Sequence, residues 1–416
     1  MVETLNSRTS DLFDSDYSYY FENMIKKIIC LINLILLFCS CSGSSNSAEA
    51  NVTSKLSITN VTHERNSNQT TSYRFTINVT PTSSKEITVN YKTVDITAIA
   101  GKDYTSTTGT LTIQANKLSS YIDVIVLTDS LRQSDQTFNL ELSSPTNSSI
   151  SGTGKGIGTI QNYGTYLPID GAGYAGATSY SGMKLVWSDE FNGKDINSSN
   201  WSYDTGGSGW GNNELENYTT SSKNAFVTSG YLVIEARKET LSTNNYTSAR
   251  LLSKDKQTFT YGRIDFRAKL PKGQGIWPAL WMLGNNIATT AWPASGEIDI
   301  MELLGHEPQK TYSTIHWGVA GGQSTHIGGY YLLNSQTFND NFHVFSLKWE
   351  IDKLSFLIDD TVFFTATKSQ VNGDYPFDKP FFFIMNVAVG GNWPGNPDSS
   401  TVFPQRMIVD YVRVFQ

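Results

Sequence analysis

The chain has 416 residues, 17% charged and 12% aromatic, with a net charge of −7 and many Gly, Ser, Thr and Asn residues. That length accommodates two domains, one of them with a large single core, and the mixture suits an all-β extracellular protein better than a helical or disordered one. The acidic balance, with no basic run beyond Lys26-Lys27, argues against a nucleic-acid partner.

Residues 1–23 carry no export logic and read as upstream sequence from an early start. From Met24 a basic start, an apolar stretch from Ile28 to Phe38 and then small residues form a secretory signal. The stretch is shorter than the ~20 residues of a membrane span. Its ending, Phe38-Cys39-Ser40-Cys41, resembles a bacterial lipobox, which implies lipidation of Cys41 as the mature N-terminus; plain cleavage nearby is the alternative. The expected destination is an exported lipoprotein at the outer membrane or cell surface, or a secreted protein, touching a membrane only through lipid on Cys41. Cys30, Cys39 and Cys41 are the three cysteines, so the part after them holds neither a disulfide nor a thiolate metal site.

Residues 42–51 form a Ser/Asn/Ala tether. From 52 to 163 short alternating runs recur between turn residues: Tyr73–Val79, Glu86–Tyr91, Gly109–Ile113, Tyr121–Val126 and Thr137–Leu142. They predict a small β-sandwich. Val89-Asn-Tyr-Lys-Thr-Val-Asp95, Ala98-Ile-Ala-Gly-Lys-Asp-Tyr104 and Gln136-Thr-Phe-Asn-Leu-Glu-Leu-Ser-Ser-Pro145 resemble a Calx-β domain. Some members of that family bind calcium through clustered acids, but the matching segments here, 128–135 and 159–162, are acid-poor, which predicts little cation affinity. A spacer or an accessory glycan-contact module is the expected role. Residues 164–182, rich in Gly, Ala, Ser and Tyr, read as a linker.

From 183 to 416 strands dominate again, with 231–236, 261–268, 342–349, 354–359, 381–387 and 407–415 as candidates and no convincing helix. The sum predicts a large antiparallel sandwich of two packed sheets, a jelly roll. Its chemistry lies in Gly296-Glu-Ile-Asp-Ile-Met-Glu302. In a strand Glu297 and Asp299 share one face while Ile298 and Ile300 enter the core. Strict alternation would put Met301, not Glu302, beside Asp299. A β-bulge near Ile300–Met301 returns Glu302 to the polar face.

A row of acids alone is costly on a strand unless it is solvated or used. Paired carboxylates suit glycosidic cleavage, one as nucleophile or base and the other as proton donor, with crowding keeping one protonated. Asp299 is expected to orient the nucleophile. Trp277 and Trp281, four apart on a strand, share a face opposite Leu280 and Met282. Exposed indoles offer platforms for sugar rings, although both could instead fill core. Trp393 lies in the Gly/Pro-rich loop Gly390-Gly-Asn-Trp-Pro-Gly395, a candidate rim contact, and Asn213 and Glu214 sit in an aromatic, Gly-rich loop suited to binding hydroxyls.

Glu297-Ile-Asp-Ile-Met-Glu302 resembles the bulged active-site signature of glycoside hydrolase family 16. Five further segments extend the resemblance over 183–416: Trp187-Ser-Asp-Glu-Phe-Asn-Gly193, Trp210-Gly-Asn-Asn-Glu-Leu-Glu-Asn-Tyr218, Tyr261-Gly-Arg-Ile-Asp-Phe-Arg267, Gly275-Ile-Trp-Pro-Ala-Leu-Trp-Met-Leu283 and Asp410-Tyr-Val-Arg-Val-Phe415. The resemblance implies a concanavalin-like β-jelly roll and retaining hydrolysis, with Glu297 as nucleophile and Glu302 as acid/base. The Trp-Pro-Ala-Leu-Trp run looks most like the laminarinases, which act internally on β-1,3-glucan as monomers without a catalytic cofactor. Arg250 and His316 resemble positions lining the cleft. Glu190, the Gly230 carbonyl and Asp410 resemble a structural calcium site on the convex side. Glu216 stands where many laminarinases have Gln. Three alternatives remain at this point: a family enzyme for mixed-linkage glucan, agar or carrageenan, a glucan-binding protein with a dead site, and a surface adhesin.

Overall fold

The computed structural model of the protein describes residues 53–416. Cys41, the signal-like segment and the 42–51 tether lie outside the described residues. Among the described residues the only helical turn is the 3-10 segment Lys368–Gln370, in keeping with the all-β expectation.

The first sandwich follows directly from alternation. In Thr71–Thr80 the side chains of Tyr73, Phe75, Ile77 and Val79 are buried while their neighbours face outward. This strand packs its apolar face against Phe138 and Leu140 of Gln136–Ser143, in the opposite sheet. Four strands make one sheet and five the other. One five-stranded member, Lys155–Gln161, escaped the sequence reading because two of its positions are glycines. A Cβ at Gly158 would come within 2.4 Å of the Phe138 ring, so the large aromatic requires the missing side chain.

The second sandwich sets an eight-stranded outer sheet against a seven-stranded sheet that carries the cleft. Phe266 and Phe345 from the outer sheet meet Phe383 from the cleft sheet in the core. Each such buried aromatic contributes about 1.5–3 kcal/mol. An interior cleft-sheet strand, Phe381–Val389, is buried along its whole length, one face in this core and the other at the cleft floor. That double burial explains its nearly continuous apolar sequence.

The 164–182 segment is more than a connector. Tyr174 N–H donates to the Phe342 carbonyl at 2.9 Å. Arg267, on the outer-sheet strand Gly262–Lys269, donates to the carbonyls of Tyr174 (2.6 Å) and Gly171 (2.7 Å). Gly173 has φ 131, and a Cβ there would meet the Phe342 carbonyl oxygen at 2.1 Å, so only glycine allows this close approach. Tyr180 adds a hydrogen bond to Asp265. The segment is a strap laid along the outer sheet.

A buried charge cluster joins the first sandwich to that same sheet. Glu235 is fully buried and pairs with Arg132 of the first sandwich (3.0 Å), with Arg406 (2.6 Å) and with Arg237. Burial raises the Glu235 carboxyl, yet the guanidinium groups of Arg406, Arg132 and Arg237 outweigh it and hold Glu235 below its ordinary range. Arg132 also lies over the Phe226 ring, 3.8 Å from its centroid.

Candidate active site

The Glu297–Leu303 strand carries the predicted bulge. Against the Ile276–Gly284 strand, Met301 faces Leu280 and Asp299 faces Trp281, leaving Ile300 as the extra residue. Against the Lys310–Gly318 strand, Asp299 pairs with Thr314 and Glu302 with Tyr312. Ile298, Ile300 and Met301 are all buried in the main core. Apolar burial of two successive side chains drives the irregularity, and Ser313 Oγ satisfies the freed Ile300 carbonyl at 2.7 Å. Glu302 is thereby returned to the face of Glu297 and Asp299, and all three line a cleft of about 690 Å³.

Each catalytic candidate has a specific partner. Trp292 Nε1 donates to Glu297 Oε2 at 2.9 Å, and Trp277 Nε1 donates to Glu302 Oε1 at 3.0 Å. His316 Nε2 lies 3.2 Å from Asp299 Oδ2 and 3.8 Å from Glu297 Oε1, while its Nδ1 faces Ser324 Oγ at 3.1 Å. Burial pushes Glu297 up to about 8, with the Asp299 charge adding to the effect and His316 and Trp292 opposing it. Burial also lifts Asp299 to about 8. Glu302, desolvated and repelled by both Asp299 and Glu297, is pushed well above the carboxylate range. Burial and mutual repulsion of three acids in one groove disfavour their full ionisation, and both Asp299 and Glu297 add to the upward push on Glu302.

Aromatic walls flank the acids. Trp277 and Trp281 are half-buried and line the cleft, with Leu280 and Met282 buried on the opposite face, as their spacing predicted. Trp393 stands at the rim, exposed, and packs edge-on against Trp277 with 5.5 Å between ring centroids. Arg250 lies between the Trp210 and Trp281 rings, 4.8 Å from each centroid, and pairs with Asp204 at 3.2 Å. Glu214 lines the cleft but is mostly buried, accepting from Asn212 (3.2 Å) and Tyr218 (3.1 Å).

Asn213 differs from its expectation. With φ 57 it turns its amide away to Asn392 at 2.8 Å, and its neighbour Asn212 lines the cleft instead. Asn212, Trp210, Trp292, His326 and Asn386 are cleft residues that the sequence reading did not single out. For Trp210 and Trp292 the signal was available, since both are tryptophans in loop-like, Gly/Pro-flanked sequence. Asn386 gives no such signal, sitting inside an apolar run.

In the residues resembling a calcium site, both carboxylates are paired with arginines. Glu190 is held by Arg413 through two bonds of 2.9 and 2.8 Å, and that pairing lowers its carboxyl below the usual range. Asp410 pairs with Arg267 at 2.7 Å, and Gly230 lies in the turn just before the Tyr231–Ala236 strand. With both carboxylates matched to guanidinium groups, the donor set as it stands does not fit a cation. Among the described residues, Glu297, Asp299 and His316 do bring carboxylate and imidazole atoms within 4.8 Å of one another. Those atoms belong to the catalytic centre itself.

Comparison with known proteins agrees with this geometry. The profile described as "Glycosyl hydrolases family 16" matches residues 214–413, and that described as "Calx-beta domain" matches residues 50–157. The chain is 42% identical over 261 residues to the Glucan endo-1,3-beta-glucosidase A1 of Niallia circulans, covering 57% of this chain but only 38% of that protein. It is 40% identical over 245 residues to the Beta-glucanase of Rhodothermus marinus, covering 56% of this chain and 85% of the relative. Among solved structures, the catalytic domain of an endo-1,3-beta-glucanase (laminarinase) from Thermotoga petrophila superposes with a TM-score of 0.53 at 47% identity, over 56% of this chain and 98% of that one. Bulged acidic strand, tryptophan-walled cleft, jelly roll and these matches together establish that the chain belongs to glycosyl hydrolases family 16, with a Calx-beta domain ahead of its catalytic sandwich.

Proposed function

We propose that the protein cleaves β-1,3-glucan of the laminarin type at internal bonds, in two displacement steps with retention of anomeric configuration. The observation that carries this reading is the bulge that brings Glu302 onto the face of Glu297, with Asp299 between them. Glu297 attacks the anomeric carbon while Glu302 protonates the departing glycosidic oxygen. Glu302 then takes a proton from the water that releases the glycosyl-enzyme. The upward push on Glu302 supports the acid role, and the Trp292 hydrogen bond and His316 charge oppose the burial that raises Glu297, favouring the ionised form its attack requires.

Asp299 adjusts both neighbours by its charge and its contact with His316. The indoles of Trp210, Trp277, Trp281, Trp292 and Trp393 offer flat apolar faces to glucosyl rings, with Arg250, Asn212 and Asn386 supplying polar contacts. No step calls for a cofactor. Two of the relatives above carry endo-1,3-β-glucan cleavage in their names, which supports the substrate.

Product analysis on laminarin, mixed-linkage glucan, agarose and carrageenan tests the proposal. Internal fragments from laminarin, with the β-anomer formed first by NMR, are expected. Release only from a galactan, or binding of laminarin without new reducing ends, would refute it. Export as a monomeric lipoprotein anchored at Cys41 completes the reading, supported by the sequence of 24–41. Fatty-acid labelling that persisted in Cys41→Ala would remove the anchor.

A further inference from the structure

Beneath the Trp210–Arg250 end of the cleft lies a pair of acids that the reaction above leaves unused. Glu216 opens the short strand Glu216–Tyr218, which runs parallel to Tyr246–Ser248. Its side chain is 0% exposed. Oε2 accepts the Val389 N–H at 2.6 Å, but Oε1 is enclosed with no hydrogen-bond partner. An ionised carboxylate with a bare buried oxygen is strongly disfavoured, whereas a protonated one has a hydroxyl to give.

The neighbouring acid two residues earlier on the same segment, Glu214, is the candidate acceptor for that hydroxyl. Trp281 Nε1 donates to Asn386 Oδ1 (2.7 Å), Asn386 Nδ2 to Tyr218 Oη (3.0 Å), and Tyr218 Oη to Glu214 Oε2 (3.1 Å). Asn212 donates to the other Glu214 oxygen at 3.2 Å. Every link points the same way, so the series ends on the Glu214 carboxyl as an acceptor. The titratable and charged groups facing Glu216 are Glu214 and Tyr218 on its own segment, Tyr246 on the paired strand and Arg250 beyond Tyr218. The Phe381–Val389 strand brings none. Burial first, then the charge and hydrogen bond of Glu214, push Glu216 well above the carboxylate range.

We propose that Glu216 is a positioning residue kept as the neutral acid, whose hydroxyl donates to Glu214, so that Glu214 is fixed as the end of the Tyr218–Asn386–Trp281 series and that series holds the Trp281 indole in the sugar-binding wall. This deepens the glucanase reading and rests on it for the kinetic part of its test.

Two variants and one spectroscopic measurement decide it. Glu216→Gln keeps a donor of the same shape without a titrating proton, and Glu216→Leu removes the donor. The Leu variant is expected to raise KM about tenfold with a smaller change in kcat, the size of one hydrogen bond to a charged group, while Gln returns KM to within about threefold of the parent. The parent-minus-Gln infrared difference spectrum at neutral pH should contain a protonated-carboxyl band. That band needs no turnover, so it separates failure of this proposal from failure of the substrate assignment. Absence of the band, or a Gln variant as impaired as Leu, would overturn the role. So would a Leu variant that keeps the parent KM.

Discussion

Replacing Trp277 by Phe isolates a single hydrogen bond at the acid/base residue. The indole Nε1 donates to Glu302 Oε1 at 3.0 Å inside the cleft. A group that can only donate favours the ionised carboxylate, so its loss raises proton affinity. A hydrogen bond to a charged group is worth about 1.5–3 kcal/mol, and a pKa unit corresponds to about 1.4 kcal/mol, giving a shift of about one to two units. Partial solvent access at half-buried Trp277 places the expectation near the lower figure. Glu302 then keeps its proton to higher pH. The alkaline limb of kcat/KM, which follows the protonated acid, moves up by about one pH unit. Release of the glycosyl-enzyme, which needs the same group ionised, slows. The phenyl ring retains a flat face beside Trp393, so KM changes little. The measurement is a pH–rate profile on soluble laminarin, with thermal melting as a folding control. An alkaline limb that stays in place, or moves down, refutes the role assigned to this bond.

Asp299→Asn should move the same limb downward, because the Asp299 charge is one of the causes lifting both Glu297 and Glu302; an unchanged profile would separate Asp299 from the acid pair. Glu297→Gln and Glu302→Gln are each expected to lower kcat by about 10²–10⁴ or more while retaining the fold by circular dichroism. Near-native turnover in both would end the assignment. Arg132→Met should lower unfolding free energy by about 1–3 kcal/mol, less than a fully orphaned buried pair, since Arg237 and Arg406 still neutralise Glu235. Denaturant midpoints measure this, and kcat should not change. Melting temperatures in calcium and in chelator should coincide, because Arg413 and Arg267 already satisfy Glu190 and Asp410.

Much of this molecule is readable from local pattern. Tyr231–Ala236 was bounded from sequence at its observed limits, and 381–387 fell two residues short of Phe381–Val389, because period-two alternation or an unbroken apolar run records burial directly. The edge strand Ser324–Leu332 went unseen. It has little apolar face to bury, and its two internal glycines sit against Thr314 and Phe364 rather than in turns. The 164–182 strap has the composition of a linker for a related reason. It is held by its backbone carbonyls, and Arg267, its main partner, lies about ninety residues further along the chain.

At the active site the division is sharper. Local sequence determined the three acids, their shared face and the need for one extra residue, since pleat and side-chain polarity are properties of consecutive positions. Tertiary structure alone decided that Trp292 holds Glu297 while Trp277 holds Glu302, that Asn212 rather than Asn213 reaches the cleft, and that arginines claim Glu190 and Asp410. Those outcomes depend on distances between segments remote in the chain, and alternation within one strand carries no information about them.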